Sequence, residues 1–401
     1  MNLPVIFILI TVLIDAMGVG LIIPVMPDLI REVTGGDLAE AAIWGGILST
    51  VFAVMQFLFG PVLGNLSDRF GRRPVLLTSL AVLALDYVIM ALAGALWLLL
   101  IGRIVGGITA ATQSTANAYM ADISEPAKKA QNFGLIGAAF GLGFVLGPLM
   151  GGLLGEWGTR APFWAAGVLA AVNGIFGYFV LRETVTDAIR RPFEWRRANP
   201  FGAFVNLGRL PGIRRGLVIY FLYQVAFMVY PATWAYFGQA KFGWSPGMVG
   251  VSLALFGIMM ALVQGLLIRH ILRWLGERGT VIYGLVFDLA AFGAIAFAPN
   301  GTVALILTPL AALGAVITPA LQGILSHSAG PDRQGELQGA LTSAAALAMI
   351  LSPVLMTSVF AYYTGDAAPF YFPGAPFIVS LALIVVALAV FLWPGRKTAV
   401  A

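Results

Sequence analysis

The sequence has no cysteine, two histidines and few charged residues. Only 10% of its 401 residues are charged and 60% are hydrophobic, whereas a soluble domain usually carries about 25% charged residues. Without cysteine, disulfides and thiolate metal sites are excluded. His270 and His327 do not stand in ligand spacing with another metal-binding residue, so no metal site is predicted. The predicted solvent for most of this chain is lipid.

Motifs of ATP hydrolysis and of common hydrolases are also missing. No segment reads GxxxxGK followed by Ser or Thr, and neither a Gly-x-Ser-x-Gly elbow nor an HExxH occurs. A membrane-embedded enzyme would need a reactive constellation of side chains, which we do not find. The excess of basic residues, 23 against 18, is typical of the cytoplasmic loops of membrane proteins. We therefore predict no enzymatic activity, no cofactor and no nucleic-acid partner.

Long apolar runs make up most of the chain, and they are too long for the strands of a membrane barrel. We predict an all-α membrane protein with twelve transmembrane helices, near 4–26, 41–64, 74–94, 96–120, 132–155, 161–181, 214–238, 246–272, 279–298, 301–327, 335–363 and 374–394. The first run contains Asp15 and lacks a basic start, which favours a first helix over a cleaved signal. A cytoplasmic N-terminus places 19 of the 23 basic residues on one side, so both termini are predicted to be cytoplasmic.

The chain divides into two similar parts. Three pairs of residues are each separated by 205 positions: Pro148 and Pro353, Gly134 and Gly339, and Gly71 and Gly276. We predict an N-terminal six-helix bundle over 1–181, a cytoplasmic linker over 182–213 and a C-terminal six-helix bundle over 214–401. The linker is expected to be a plain connector, or to include a short helix at the lipid headgroups. Two such bundles suit alternating access, in which the halves rock about a central site.

Four charged residues interrupt the apolar runs: Asp15, Asp86, Arg103 and Asp288. Each costs about 2.5–3.5 kcal/mol at a helix centre on insertion scales. One buried pair between Arg103 and an aspartate leaves two acids unmatched, so at least one acid is predicted to bind and release a proton. Asp15 is the first choice and Asp288 the second, whereas Asp86 best suits a structural role. Polar and aromatic residues of the spans are predicted to line a cavity for an amphipathic compound: Gln56, Gln113, Asn117, Tyr223, Gln224, Phe227, Tyr230, Trp234, Met260, Gln264 and Gln322.

Several segments together resemble one family. GNLSDRFGRRPV, starting at Gly64, resembles the loop between helices two and three of the major facilitator superfamily, and GLGFVLGPLMGG resembles the fifth-helix motif of its proton-driven exporters. IDAMGVGLIIPVMP, LIGRIVGGITAAT, LQG at 321–323 and the acid of GLVFDLAAF resemble its tetracycline-efflux branch. The resemblance implies that Asp15, Asp86, Asp288 and Arg103 serve proton antiport. The branch usually has a histidine where our alignment places Met260, which predicts weaker handling of tetracycline.

Two further groups of residues are predicted to act in packing and gating. Glycines and a proline on helix five suit close packing with a bend: Gly143, Gly147, Pro148, Gly151 and Gly152. A cytoplasmic gate is predicted from the polar loop after helix two and the end of helix four: Gly64, Asp68, Arg69, Arg72, Arg73 and Asp122. Asp68 is expected to face the start of a helix in the opposite half, and Arg72 to reach Asp122. Because Arg273 stands where the repeat would place a second Asp68, the gate is predicted in the first half only.

These features predict a monomeric exporter in the bacterial cytoplasmic membrane. It would exchange inward-moving protons for an outward-moving amphipathic drug, with the proton gradient as its energy source. A proton symporter that imports a small metabolite shares the predicted fold and is one alternative, and a non-transporting membrane sensor is another. The fifth-helix motif favours export over both.

Overall fold

The computed structural model describes residues 3–110, 112–187, 190–195, 199–200 and 213–393, without the side chains of residues 112, 113, 130 and 331. The first half of the described chain contains α1 (Leu3–Ile22), α2 (Met26–Thr34), α3 (Leu38–Phe70), α4 (Arg72–Leu92), α5 (Leu96–Thr109), α6 (Thr112–Ile123), α7 (Lys129–Gly155) and α8 (Ala161–Val180). The second half contains α9 (Arg214–Phe227), α10 (Val229–Phe242), α11 (Pro246–Leu262), α12 (Ile268–Ala296), α13 (Gly301–Ala311), α14 (Ile317–Ala329), α15 (Gln334–Thr364) and α16 (Ala375–Leu392). A π-helical segment, Val263–Leu267, joins α11 to α12.

Eleven helical runs of the described chain are long and apolar enough to cross a membrane. One of them, Pro246–Ala296, has 51 residues, and as a straight helix it would be about 75 Å long. Its backbone is not helical at Gly276, where φ is +66°. The Nζ of Lys241, just before this run, donates to the carbonyl oxygen of Ala296 over 2.6 Å, so the chain reverses at Gly276 and crosses twice. The prediction of twelve transmembrane helices is thereby confirmed.

The two halves share backbone features at an offset of about 205 residues. Gly71 and Gly276 both have positive φ, +108° and +66°, and each joins the second transmembrane helix of its half to the third. A side chain is strongly disfavoured in this conformation, so glycine is required at both positions. Pro148 and Pro353, also 205 positions apart, both lie inside the fifth transmembrane helix of their half, in α7 and α15. The repeat indicated by the sequence is therefore present in the backbone.

We call the end of the bundle where α1 begins and α16 ends the basic end, because most lysines and arginines lie in its connections. The other end is called the opposite end. Side-chain caps define helix starts there: Asp37 accepts from the amide of Glu40 over 2.7 Å before α3, and Asn300 accepts from the amide of Val303 over 3.0 Å before α13. Such caps satisfy amides that have no partner within the helix.

The halves meet along two antiparallel helix pairs, α3 with α15 and α7 with α11. The carbonyl oxygen of Pro148 in α7 abuts Gly250 of α11. The carbonyl oxygen of Pro353 in α15 lies 3.1 Å from the position that a Cβ would take at Gly46 of α3. These two contacts are related by the same internal repeat. A side chain at Gly250 would overlap the carbonyl oxygen of Pro148, and one at Gly46 would overlap Oγ1 of Thr357, so glycine permits the close approach of the halves at both positions.

The packing along α7 differs between the two ends of the bundle. A Cβ at Gly152, toward the opposite end, would lie 2.9 Å from Cα of Gly250. A Cβ at Gly134, Gly137 or Gly141, toward the basic end, would have no neighbouring atom within 4 Å. The structure is therefore closed at the opposite end and open at the basic end.

Candidate functional site

Transmembrane helices one, seven and ten are interrupted. Helix one breaks between α1 and α2, and helix seven breaks at Met228, between α9 and α10. Backbone that lacks regular helical hydrogen bonds is tolerated at membrane depth only where it is buried in protein or lines a cavity. Interrupted helices at corresponding positions of two repeats typically mark a binding site. Sequence reasoning missed these breaks, although GLIIPVMP in helix one and PLAALGAVITP in helix ten contain the Gly and Pro spacing that signals them.

Asp86 of α4 lies against a glycine face of α5. Its side chain is 1% exposed, and neither carboxylate oxygen has a hydrogen-bond partner. A Cβ at Gly102 would lie 3.0 Å from Oδ1 of Asp86, and a Cβ at Gly106 would lie 2.7 Å from its Oδ2. The guanidinium of Arg103, on the same helix, lies 5.3 Å from the centre of the Phe52 ring. Within the described part of the chain no ion pair joins Arg103 to Asp86, so the buried pair considered from the sequence is not formed here.

Asp15 of α1 also has both carboxylate oxygens buried without a hydrogen-bond partner. Tyr87 connects it to Asp86, because the Tyr87 hydroxyl abuts Gly18 of α1 and its ring lies within electrostatic range of Asp15, Asp86 and Arg103. We call Asp15, Asp86, Tyr87 and Arg103 the acid cluster. A buried charge without a partner costs several kcal/mol, so a carboxylate of this kind is suited to taking up a proton.

Asp288 forms a separate site in the second half. Its side chain is 5% exposed and abuts the backbone of Gly314, at the break between α13 and α14. Tyr223 of α9 is also buried and lies within electrostatic range of Asp288. The structure therefore brings together three of the four predicted charges and places Asp288 beside a different helix break.

The aromatic residues of helix seven do not all face a cavity. Trp234 is fully buried, and its indole donates to Oγ of Ser252 over 2.8 Å. Tyr230 is buried among other rings, 5.0 Å from the ring of Phe256. In this conformation Tyr223, Tyr230 and Trp234 are buried in the core of the second half, and their place in a substrate cavity stays a prediction. Phe227 keeps part of its surface exposed and remains a candidate.

Most of the other predicted cavity residues keep some exposed surface. Those that are partly or fully exposed are Gln56, Asn117, Gln224, Met260, Gln264 and Gln322. Gln264 lies in the π-helical segment, and its Nε2 donates to the carbonyl oxygen of Ala315 over 3.4 Å. Single π-helical turns in α-helices occur often at functional sites. The side chain of Gln113 lies outside the described residues.

The helix-five glycines hold α7 against α1. Three of them abut backbone carbonyl oxygens of α1: Gly143, Gly147 and Gly151. At Gly147 an added Cβ would lie 2.5 Å from the carbonyl oxygen of Met17. Since Asp15 lies on the contacted stretch of α1, these glycines help to set the position of that acid.

The polar loop after α3 is bonded to its own half. Nη1 of Arg72 lies 2.5 Å from Oδ1 of Asp68, and its Nε lies 3.3 Å from Oδ2 of Asp122. Arg73 donates to the carbonyl oxygen of Tyr178 over 2.9 Å, and the guanidinium of Arg69 lies over the ring of Phe70. The expected approach of Arg72 to Asp122 is present in the structure. Asp68 is paired with Arg72 rather than with the opposite half, as expected of an open end.

Sequence reasoning missed Glu183, which follows α8. Its carboxylate accepts from the backbone amides of Arg72 over 2.9 Å and Arg73 over 3.2 Å, at the start of α4. Thr184 donates to Asp122 over 2.9 Å. Hydrogen bonds thus connect the start of the central linker to the polar loop. In the sequence, the signal for this contact was an acidic residue directly after the sixth transmembrane helix.

Two contacts hold the opposite end closed, and neither was predicted. Nε2 of Gln239 donates to Asp28 over 3.0 Å, and the amide of Gly247, at the start of α11, donates to Glu156 over 2.8 Å. Both contacts join the first half to the second. Burial raises the pKa of Asp28, although Arg31 and the Gln239 hydrogen bond partly offset this effect.

Known proteins of one family resemble this chain. The Major Facilitator Superfamily sequence profile matches residues 8–353. Tetracycline resistance protein, class C, of Escherichia coli is 41% identical over 387 residues, covering 96% of both chains, and the class B protein of Escherichia coli is 37% identical over 354 residues, covering 88% of this chain and 87% of that protein. The solved structure of the human organic anion transporter MFSD10 is 25% identical, with a TM-score of 0.69, and covers 97% of this chain and 99% of its own.

Proposed function

This chain belongs to the major facilitator superfamily, and we propose that it exports an amphipathic drug of the tetracycline kind in exchange for protons. The observation that carries the proposal is the acid cluster, in which two buried carboxylates lack partners beside interrupted helices. Sequence similarity also supports this role of the acid cluster, since the chain is similar over nearly its whole length to tetracycline resistance proteins. The protein acts as a transporter rather than an enzyme, with the proton gradient as its energy source and without a cofactor.

The proposed cycle follows from the two helix pairs that join the halves. We take residues 1–181 and 214–401 as two bundles that rock about the central site, with 182–213 as their linker. The distribution of basic residues supports cytoplasmic termini, so the open basic end faces the cytoplasm. Protonation of Asp15 or Asp288 removes a buried charge and biases the halves toward one orientation. The proton then leaves to the cytoplasm before drug binds from that side.

We assign the protein to the cytoplasmic membrane of a bacterium, where it acts as a monomer. Its partners are the lipid bilayer, protons and a small amphipathic substrate. The predicted cavity residues with exposed surface that support the substrate site are Met260 and the polar residues Gln56, Asn117, Gln224, Gln264 and Gln322.

Proton-coupled drug exchange is tested in everted membrane vesicles with an acidified lumen. Adding tetracycline is expected to alkalinise the lumen as drug enters, and a protonophore is expected to abolish drug accumulation. We expect Met260→His to increase tetracycline exchange and Met260→Leu to leave it unchanged, because only histidine adds an imidazole. A chain that binds tetracycline or other amphipathic drugs but moves no protons with any of them would contradict the proposed exchange.

The opposite-end contact of Asp28 is expected to make closure depend on pH. Because the pKa of Asp28 is raised by burial, its contribution to the closed end is full at low pH and is lost as pH rises through that raised value. Asp28→Asn keeps a partner for Gln239 without a charge, so opening at pH 7.5 should fall, and the difference from the parent protein should narrow as the pH is lowered.

Opening at that end can be measured with a single cysteine, since the chain has none. Ala39 is buried beside Gly365 of the second half, so Ala39→Cys reports opening by reaction with an impermeant maleimide. Glu32→Gln is the matched control, because the partners of Glu32, Thr159 and Arg160, lie in its own half. Equal labelling rates for Asp28→Asn and its parent at pH 7.5 would refute the role of Asp28.

A further inference from the structure

Two helices of the first half each carry one polar residue in an otherwise apolar run. In α1, Thr11 is the only polar residue before Asp15, and in α8, Asn173 is the only residue that is neither apolar nor aromatic. The structure places the two together, since Nδ2 of Asn173 donates to Oγ1 of Thr11 over 2.9 Å. Both side chains are buried. Polar groups that meet inside a membrane bundle either join helices or serve the transported species.

The hydrogen bonds determine which way the Asn173 amide points. Oγ1 of Thr11 donates its single hydrogen to the carbonyl oxygen of Phe7 over 2.9 Å, so this hydroxyl can only accept from Asn173. The amide nitrogen therefore faces Thr11, and Oδ1 of Asn173 points away. Among the described residues Oδ1 has no hydrogen-bond partner, although it is buried. A pair that only joined two helices would not require this second, costly acceptor.

The unpaired acceptor lies close to the acid cluster. Thr11 and Asp15 share a face of α1 and are about 6 Å apart along its axis, one helical turn. In α8, Asn173 contacts Thr11, and a Cβ at Gly167, nearer the opposite end, would lie 3.4 Å from Cβ of Tyr87. Because α8 follows the acid cluster from below Asp15 to Tyr87, Asn173 belongs to its surroundings on the side of the basic end.

The acceptors at this point suit one buried water. Such a water requires at least two polar partners, and the two carboxylate oxygens of Asp15 and Oδ1 of Asn173 all lack partners within the described part of the chain. One water with two hydrogen bonds of about 2.8 Å spans a gap of about 6 Å. The remaining members of the acid cluster lie on α4 and α5, so Asn173 is the polar group that α8 supplies.

We propose that Asn173 is a positioning residue that holds a buried water against Asp15, with Thr11 fixing the orientation of its amide. The inference rests on the proposed function, in which Asp15 takes up and releases a proton. The water donates to Oδ1 of Asn173 in both states of the acid, and it accepts from the neutral acid or donates to the carboxylate. Neither state of Asp15 then carries the cost of an unpaired buried group.

The water site is tested by infrared difference spectra between low and high pH, recorded on the purified protein in lipid without drug. The carbonyl band of protonated Asp15 is identified by its loss in Asp15→Asn. The carbonyl stretch of a neutral acid lies at higher wavenumber when the acid has fewer hydrogen bonds. We therefore expect this band to move to higher wavenumber in Asn173→Leu and in Thr11→Val, which frees the amide, and to keep its position in Thr11→Ser. Asn173→Leu is expected to fold, because Thr11 keeps its own acceptor at Phe7.

A second polar contact serves as the matched control for simple helix joining. In the second half, Oγ of Ser380 in α16 donates to the carbonyl oxygen of Ala226 in α9 over 3.0 Å, which joins the equivalent sixth and first helices. Ser380→Ala should lower the unfolding temperature and leave the Asp15 band unmoved. In vesicles, Asn173→Leu should reduce gradient-driven accumulation by about twofold to tenfold, the effect of one hydrogen bond, and should leave drug exchange without a gradient intact.

Three outcomes would overturn the water site. They are an Asp15 band that keeps its position in Asn173→Leu, an equal shift of that band in Ser380→Ala, and the absence of any band that Asp15→Asn removes, because Asp15 would then bind no proton. The spectra require neither drug nor a gradient. An unmoved band therefore refutes the role of Asn173 alone, whereas failure of proton-coupled exchange in vesicles refutes the proposed function.

Discussion

Asp15→Asn is expected to abolish proton-driven export while leaving substrate binding intact. Both carboxylate oxygens of Asp15 are buried without a partner, so an amide of nearly the same shape fits without a new clash. The substitution removes a group that can carry a proton and removes the cost of burying its charge. We therefore expect drug efflux driven by a proton gradient to fall to background, with an unchanged or slightly increased unfolding temperature.

This result is measured in vesicles with two assays on the same preparation. Gradient-driven accumulation should disappear, whereas exchange of external for internal drug without a gradient should continue. Asp86→Asn is the comparison, because Asp86 also lacks partners but lies against Gly102 and Gly106, where it also contributes to packing. Full gradient-driven accumulation by Asp15→Asn would show that Asp15 does not carry the coupling proton.

Gly147→Ala is expected to impair export strongly, and Gly141→Ala to leave it intact. A Cβ at Gly147 would lie 2.5 Å from the carbonyl oxygen of Met17, whereas a Cβ at Gly141 would meet no atom within 4 Å. Overpacking of this kind costs about 1–3 kcal/mol, and relief requires α1, with Asp15, to move away from α7. In contrast, Gly141→Ala replaces a helical glycine in open space and should stabilise α7 by up to about 1 kcal/mol.

Both variants are compared by unfolding temperature and by gradient-driven flux. We expect Gly147→Ala to unfold at a lower temperature and to lose roughly tenfold in flux, since each 1.4 kcal/mol corresponds to a factor of ten. Gly141→Ala, which lies in the same helix, controls for the change in helix propensity from glycine to alanine. Equal flux in the two variants would mean that the close approach of α7 to α1 is not needed for export.

The membrane-spanning architecture could be predicted because it depends on composition along the chain. A backbone in lipid must satisfy its hydrogen bonds within each segment, so a long apolar run is a helix wherever it packs. The four intramembrane charges were recognisable for the same reason, since each is costly regardless of its neighbours. Asp15, Asp86 and Arg103 do lie together in the acid cluster, although their proton-coupling roles stay predictions.

The orientation of individual side chains could not be predicted from composition. An aromatic stripe such as that of Tyr230 and Trp234 is suited both to a cavity wall and to a core, and only packing against Phe256 and its neighbours decides between them. The cross-half contact between Asp28 and Gln239 joins residues that are 211 positions apart. No local pattern carries that information.

The sequence by itself determined the solvent, the number of crossings, the internal repeat and the position of every charge within the spans, because these follow from local composition and from a fixed offset along the chain. Only the tertiary structure decided which end is closed, which carboxylates lack partners and where helices one, seven and ten break. It also decided that Asn173 pairs with Thr11, one helical turn from Asp15. These properties depend on how helices from distant parts of the chain pack against one another, and packing is set by shape complementarity rather than by hydropathy.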